Sequence, residues 1–378
     1  MAKRPSRRKA SKMQPAVETL TFDLGNVQIA STDPGNQMGR STYYIDLSQC
    51  ASLVNRRFYR QGLLWATSAM RITSIPVAPG TDQPQSGSPS GAVVVSKLPS
   101  TWVMSNAWEK GFRAWQKMNN EALAEAESVK PKFLDFKIFA DEGHHAYGVG
   151  ANKLPVVFDY DQSGAPGLQN LTFTPATAGE WEMSKFVIPK VYDQVTGDPL
   201  NSVNNFEIVA VGTNYPGSGA SGLQAVSLIE GYAASRALPD VVDPNVPDDV
   251  YDADGPTPEN WQSALFNEGT TQDDAVLTDM ANENNLAPYP FENDGTHTDT
   301  MYPGGANQLD GLQTSSIETI TGTTVGGITY LNGDSFPCGL IRIDIFNNDS
   351  LLEMNNILQI DLALGPHRGY LCAPMTDM

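Results

Sequence analysis

Cysteine is scarce in this chain: Cys50, Cys338 and Cys372 are the only three among 378 residues. An odd number, widely spaced and without a C-x-x-C pair, indicates neither a disulfide framework nor a zinc site, so an intracellular, reducing site of synthesis is expected. Long apolar runs are missing as well. No stretch approaches the roughly 18 apolar residues of a membrane helix. The basic start runs into Met13-Gln14-Pro15-Ala16-Val17-Glu18, which lacks the apolar core of a signal peptide. Membrane insertion and conventional secretion are therefore not expected.

The sequence also lacks the usual signatures of catalysis. There is no G-x-x-x-x-G-K-[ST] phosphate loop, and the glycine-rich stretch 212–222 has no lysine to reach a phosphate. Gly219-Ala220-Ser221-Gly222 is followed by Leu223, so no G-x-S-x-G elbow is formed. Only four histidines occur. His144 and His145 are adjacent and on a strand would face opposite sides; Asp141 and Glu142 stand near them, but no H-E-x-x-H spacing supports a metal. The acids from Asp240 to Asp254 miss the EF-hand register, because Val250 occupies the first ligand position and no Glu follows Gly255 by six. Asp252 and Asp254 remain the candidates for a calcium-type site bridging subunits, against a solvated acidic loop. No enzyme activity and no other cofactor are expected.

Acid is absent before Glu18, and here the chain turns informative. Lys3, Arg4, Arg7, Arg8, Lys9 and Lys12 are six cations in twelve residues, whereas the whole chain has 24 basic and 43 acidic residues and a net charge of −19. A cationic arm on an anionic body suits a protein that grips a polyanion at one end. A solvated disordered terminus or a nuclear-import peptide would have the same composition. A second basic segment, Asn55-Arg56-Arg57-Phe58-Tyr59-Arg60-Gln61, interleaves guanidinium groups with aromatic rings, as single-strand binders do. Its other reading is a helix turn whose arginines pair with acids.

Period-two alternation recurs along the body, which carries 33 Gly and 26 Pro as turn punctuation. Ile341, Ile343 and Ile345 should share one face with Arg342 and Asp344 on the other, and Leu358, Ile360, Leu362 and Leu364 repeat the pattern. Further strands are expected at 43–47, 63–75, 93–98, 133–139, 156–160, 185–192, 206–213, 317–323 and 327–331. A helix is expected from a cap at Asn106, with Glu109 completing a capping box and Trp108, Phe112, Trp115 and Met118 on one face, ending near Ser128. A shorter one is expected at 52–59. From about 214 to 315 strand signals thin into a loop-rich insertion, with subunit contacts or a surface projection as its role. Many strands and few helices make the fold all-β, a sandwich or barrel, preceded by a disordered basic arm over residues 1–19.

Three stretches carry a family likeness: Tyr44 to Gly62, reading YIDLSQCASLVNRRFYRQG; Ser105-Asn106-Ala107-Trp108; and Asp361 to Tyr370, reading DLALGPHRGY. They resemble capsid proteins of small circular Rep-encoding single-stranded DNA viruses, over the arm, the first 150 residues and the last 40. The resemblance implies a single jelly roll of two antiparallel sheets over residues 20–378, self-assembling into an icosahedral shell. It implies a single-stranded DNA genome held by Lys3, Arg4, Arg7, Arg8, Lys9 and Lys12, with Arg56, Arg57 and Arg60 as further nucleic-acid contacts. The partners would be other copies of the chain, the genome and a host surface receptor, and the location the virion, with the host nucleus a possible site of assembly. The acids must then face outward or meet cations at subunit contacts. The alternative from another class is a β-sandwich carbohydrate-binding or glycan-hydrolysing protein, with Trp181, Trp261 and Tyr215 as loop aromatics for stacking on sugars.

Overall fold

Two antiparallel sheets carry the fold of the computed structural model, which describes residues 15–28, 39–80, 85–124, 135–156, 159–160, 166–167, 181–189, 203–212, 217–236, 311–322, 327–349 and 351–377. The arm cations Lys3 to Lys12, the calcium candidates Asp252 and Asp254, and the loop aromatics Tyr215 and Trp261 lie outside the described residues. Counting strands of four residues or more, the chain runs β1 (Thr19–Val27), β2 (Gly39–Asp46), β3 (Leu63–Val77), β4 (Ser90–Lys97), β5 (Lys185–Pro189), β6 (Val203–Val209), β7 (Gln224–Ser227), β8 (Gln313–Thr321), β9 (Ile328–Asn332), β10 (Leu340–Asn347) and β11 (Glu353–Leu362). Helices α1 (Leu47–Asn55), α2 (Trp102–Leu123), α3 (Glu142–Tyr147) and α4 (Leu228–Arg236) lie between them.

One sheet has the order β1-β11-β3-β9 and the other β8-β4-β10-β2, with every pair antiparallel. Consecutive strands of this set pass from one sheet to the other, except for β4 and β8, which are hydrogen-bonded neighbours. Alternation explains the sandwich. Phe22, Ile72, Val93, Val95, Ile343, Ile345, Leu358 and Ile360 all point into one buried cluster between the sheets, each contributing about 1.5–3 kcal/mol of burial. Strand β3 is 15 residues long, and its first part, outside the main ladder, pairs with Ser335–Phe336 and with Cys372–Pro374. The C-terminal segment is thereby bound to the same end of the sheet from which the chain enters.

Between β4 and β8 the chain makes an excursion from residue 98 to 312 and builds a second apolar core. Helices α2 and α4, the segment Phe136–Ala140 and strands β5 and β6 bury Trp108, Trp115, Phe136, Phe186, Phe206, Ile208 and Tyr232 together. The excursion is wider than the 214–315 stretch that reads as loop-rich, because its first half has core patterning of its own. β7 joins β6 in parallel, the one parallel strand pair among the described residues.

Several sequence expectations shift. Arg342 and Asp344 do take the opposite face of β10, but that face is covered: the Arg342 guanidinium pairs with Asp141 at 3.0 Å and with Asp344 at 3.1 Å. Helix α2 is capped by the Thr101 hydroxyl, which accepts from the Met104 N–H at 3.4 Å, so Asn106 lies inside the first turns and is no cap. The described helix ends at Leu123. The shorter helix begins at Leu47 instead of Ser52, because the Asp46 carboxylate accepts from the Ser48 and Gln49 N–H groups and caps it there. Residues 135–138 form no strand. Their backbone groups bind Gln61 and Ser184 instead, Ile138 N–H donating to Gln61 Oε1 at 2.7 Å, Lys137 N–H to Ser184 Oγ at 2.9 Å, and the Lys137 carbonyl accepting from the Ser184 N–H at 3.0 Å.

Candidate nucleic-acid interface

The basic segment after α1 is shaped by how that helix stops. Arg56 adopts a left-handed conformation at φ 52° and turns the chain out of the helix. Residues 57–62 then steer it into β3 through polar and aromatic contacts. The Ser52 hydroxyl accepts from the Tyr59 N–H at 2.9 Å, and the buried Tyr59 hydroxyl donates to the Arg368 carbonyl at 2.9 Å. Arg368, also left-handed at φ 52°, returns a guanidinium hydrogen bond to the Phe58 carbonyl. Two segments about 310 residues apart thus close on each other, which brings Arg368 to the short segment that carries Arg57 and the exposed Arg56 and Arg60.

Beneath them lies an aromatic base. Tyr59, Trp65 and Tyr370 have ring centroids 5.5–5.7 Å apart, with His367 at 6.5 Å from Tyr59. Burial pushes the Tyr370 hydroxyl up to about 12 and, with Arg368 beside it, holds His367 below its ordinary value.

The start of the body is fastened to this same surface. Val17 N–H donates to Asn55 Oδ1 at 3.1 Å, the Tyr370 hydroxyl donates to the Val17 carbonyl at 2.7 Å, and Arg57 Nη1 donates to the Pro15 carbonyl at 3.1 Å. Asn55 also donates to Tyr370 at 2.7 Å, closing the loop. Pro15 follows the last arm cation, Lys12, by three residues in sequence. Of the residues singled out in the sequence, Arg57 is therefore brought to the start of the described chain, with Arg56 and Arg60 exposed on the same segment. Arg368 was missed as a contact residue, although His367-Arg368-Gly369-Tyr370 has the same basic-aromatic interleaving as residues 55–61.

Asp135 tempers the cluster. It sits under Gln61, whose N–H donates to its carboxylate at 3.2 Å. Burial raises its pKa to about 6, against the opposing pull of Lys137, that hydrogen bond and Arg60. Above that pH it carries a negative charge close to Arg60.

The polar residues elsewhere are committed to structure. His144 and His145 lie on helix α3, not on a strand, and both are buried. His144 stacks on Tyr44 at 4.6 Å, accepts from the Ala140 N–H through Nδ1 and contacts Asn152 through Nε2 at 2.7 Å; burial lowers it to about 4 and keeps it neutral. Asp141 caps α3 and binds Tyr44 and Arg342. His145, Ser221 and Glu207 meet, but Ser221 donates to Glu207 at 2.8 Å and His145 contacts the same carboxylate at 3.0 Å. A nucleophilic serine would need the imidazole as its partner, so this is no triad. Among the described residues no group of three or more His, Cys, Asp or Glu is arranged to hold a metal. Trp181 is buried, its N–H donating to Asp46 at 3.2 Å and Lys137 lying 4.7 Å over its ring. It is not the exposed sugar platform expected of it.

No family model matches the chain, and no curated protein or solved structure does either.

Proposed function

We propose that this chain is a viral capsid protein that assembles with copies of itself into an icosahedral shell and holds a single-stranded DNA genome through its basic arm. The strand order 1-8-3-6 and 5-4-7-2, counting the eight sandwich strands alone, reads as a jelly roll, an architecture used by shell proteins and by sugar-binding domains alike. Fold alone leaves that choice open. The observation that carries the shell reading is the fastening of Pro15 and Val17 to Arg57, Asn55 and Tyr370, which joins the arm's six charges to a second basic cluster on the body. A glycan-binding protein has no use for such a joint, and Trp181, one of the three aromatics on which that reading leaned, is buried. Calcium at Asp252 and Asp254 would serve subunit contacts, and the virion, with passage through the host nucleus, is the corresponding location.

The test is assembly. Purified full-length protein is expected to elute from a sizing column as megadalton particles with shells visible by electron microscopy. Deletion of residues 1–14 is expected to leave particles depleted of nucleic acid. A chain that stays monomeric or dimeric across salt and calcium concentrations, and binds or cleaves a glycan, refutes the reading.

A further inference from the structure

We propose that Arg56, Arg57, Arg60 and Arg368 form a site for consecutive phosphates of a single-stranded nucleic acid at the point where the arm joins the sandwich. The inference deepens the capsid reading and rests on it for the identity of the polyanion.

Backbone conformation supplies the first observation. Among the described residues only Arg56, Cys338 and Arg368 combine positive φ with a side chain. Glycine enters the left-handed region freely, whereas other L-residues do so at a cost. Position 56 ends a helix in the conformation where glycine is the usual choice, and Arg368 directly precedes a glycine, Gly369, that is itself at φ 108°. Two arginines in the costly conformation, on segments that the bond from Arg368 to the Phe58 carbonyl ties together, are explained if the guanidinium groups are wanted at that surface. Strained backbone collects where function needs it.

The second observation is how the side chains are held. Arg57 and Arg368 donate to the carbonyls of Pro15 and Phe58. Such bonds orient a guanidinium without cancelling its charge, and they leave further N–H donors of the fork for another acceptor. The packed Tyr59, Trp65 and Tyr370 rings fix the platform beneath, so little ordering is left to occur on binding. Arg60 is the weakest member because Asp135 is near it. A phosphodiester chain fits this site better than a flat anionic membrane does, since the six cations of residues 3–12 precede it in sequence and a polymer can meet both.

The test uses the full-length chain carrying Arg56→Gly and Arg368→Gly together. Unassembled protein is titrated with a fluorescein-labelled 20-nucleotide oligo(dT) in increasing NaCl; for assembled particles, nucleic acid per subunit is read by absorbance. If each arginine meets one phosphate, the slope of log K against log salt becomes shallower by about 1.4, and affinity at 0.1 M NaCl falls about 25-fold, from about 0.7 per phosphate for single strands. The urea midpoint is expected to move little, since the relief of two left-handed arginines offsets the loss of the Arg368 bond to the Phe58 carbonyl. Arg368→Lys keeps the charge and should retain binding within about twofold; Arg57→Gln, at an ordinary backbone position, should lose about fivefold and supplies the test if the double variant is unstable. Unchanged slopes in both the glycine and glutamine variants overturn the site, as does arginine-dependent binding to phosphatidylserine vesicles without binding to oligo(dT). Sizing of the same samples reports separately on the capsid reading: a chain that never assembles but loses slope as described keeps the site and loses the shell.

Discussion

Replacing Asp135 with Asn should stabilise the protein, and only above a defined pH. The carboxyl group is largely enclosed, accepts from the Gln61 N–H, and holds its proton to about pH 6 where an exposed aspartate would lose it near 3.8. The folded pKa lies above the unfolded one, so the folded state binds the proton more tightly. Stability is therefore lost as pH rises from the unfolded toward the folded value, and the loss is complete above about 6. Asparagine keeps an oxygen for Gln61 and never ionises. At 1.36 kcal/mol per pH unit, its advantage is about 0.2 kcal/mol at pH 3.5, about 1.6 at pH 5 and about 3 at pH 7.5. These are ceilings, because local rearrangement and water relieve part of the charge burial; roughly half of each is a realistic yield. Urea unfolding followed by tryptophan fluorescence, at five pH values for wild type and variant, measures the difference. His144 titrates in both proteins and cancels. An equal gain at pH 4 and pH 7.5, or a loss at pH 7.5, would refute the idea that an ionised, enclosed Asp135 opposes folding.

The same group bears on binding. As pH falls through 6, Asp135 becomes neutral and His367, held below its ordinary 6.5, gains its proton only in the acid range; both changes add positive charge at the arginine cluster, so oligo(dT) affinity should rise about fivefold between pH 7.5 and 5, the equivalent of one phosphate contact. Arg342→Leu leaves the buried carboxylates of Asp141 and Asp344 without their shared cation and should cost about 3–5 kcal/mol in urea unfolding. Gly111→Ala places a methyl 2.3 Å from Leu228 Cδ1 where α2 meets α4; the excursion core should lose about 1–3 kcal/mol, seen as a lower melting temperature.

Some of this architecture is written in local pattern and some is not. The isoleucines of β10 alternate so strictly that the strand and its core face follow at once, but nothing local says that Arg342 and Asp344 will be covered, because their cover, Asp141, lies 201 residues away. Helix α1 begins at Leu47, behind Asp46, a residue whose place in an alternating run hides its role as a cap. The segment around Phe136 alternates like a strand and is none, since Gln61 and Ser184 satisfy its backbone from outside. For the candidate site, residues 55–61 declare their charge and aromatic spacing openly. Their joining to Arg368 and to Pro15 is a tertiary event, and left-handed arginine is a conformation that residue propensity argues against.

The acidity of the chain looks at first like an obstacle to holding a polyanion, since apart from the six arm cations residues 18–378 carry −25. Distance decides otherwise. At physiological ionic strength charges are screened beyond about 8 Å, so a phosphate at the arm root responds to Arg56, Arg57, Arg60, Arg368 and Asp135 and hardly to acids elsewhere on the body. Net charge then governs solubility and approach, while the local cluster governs grip. The two separate when salt is removed: at about 10 mM the screening length grows to about 30 Å, the whole anionic body is felt, and repulsion begins to offset the gain from stronger phosphate contacts. A polyanion site on a neutral body would give a log K against log salt line that stays straight to low salt. Here the line should bend over below about 30 mM, and deletion of the arm, which leaves the body's repulsion without its strongest counterweight, should move the bend to higher salt.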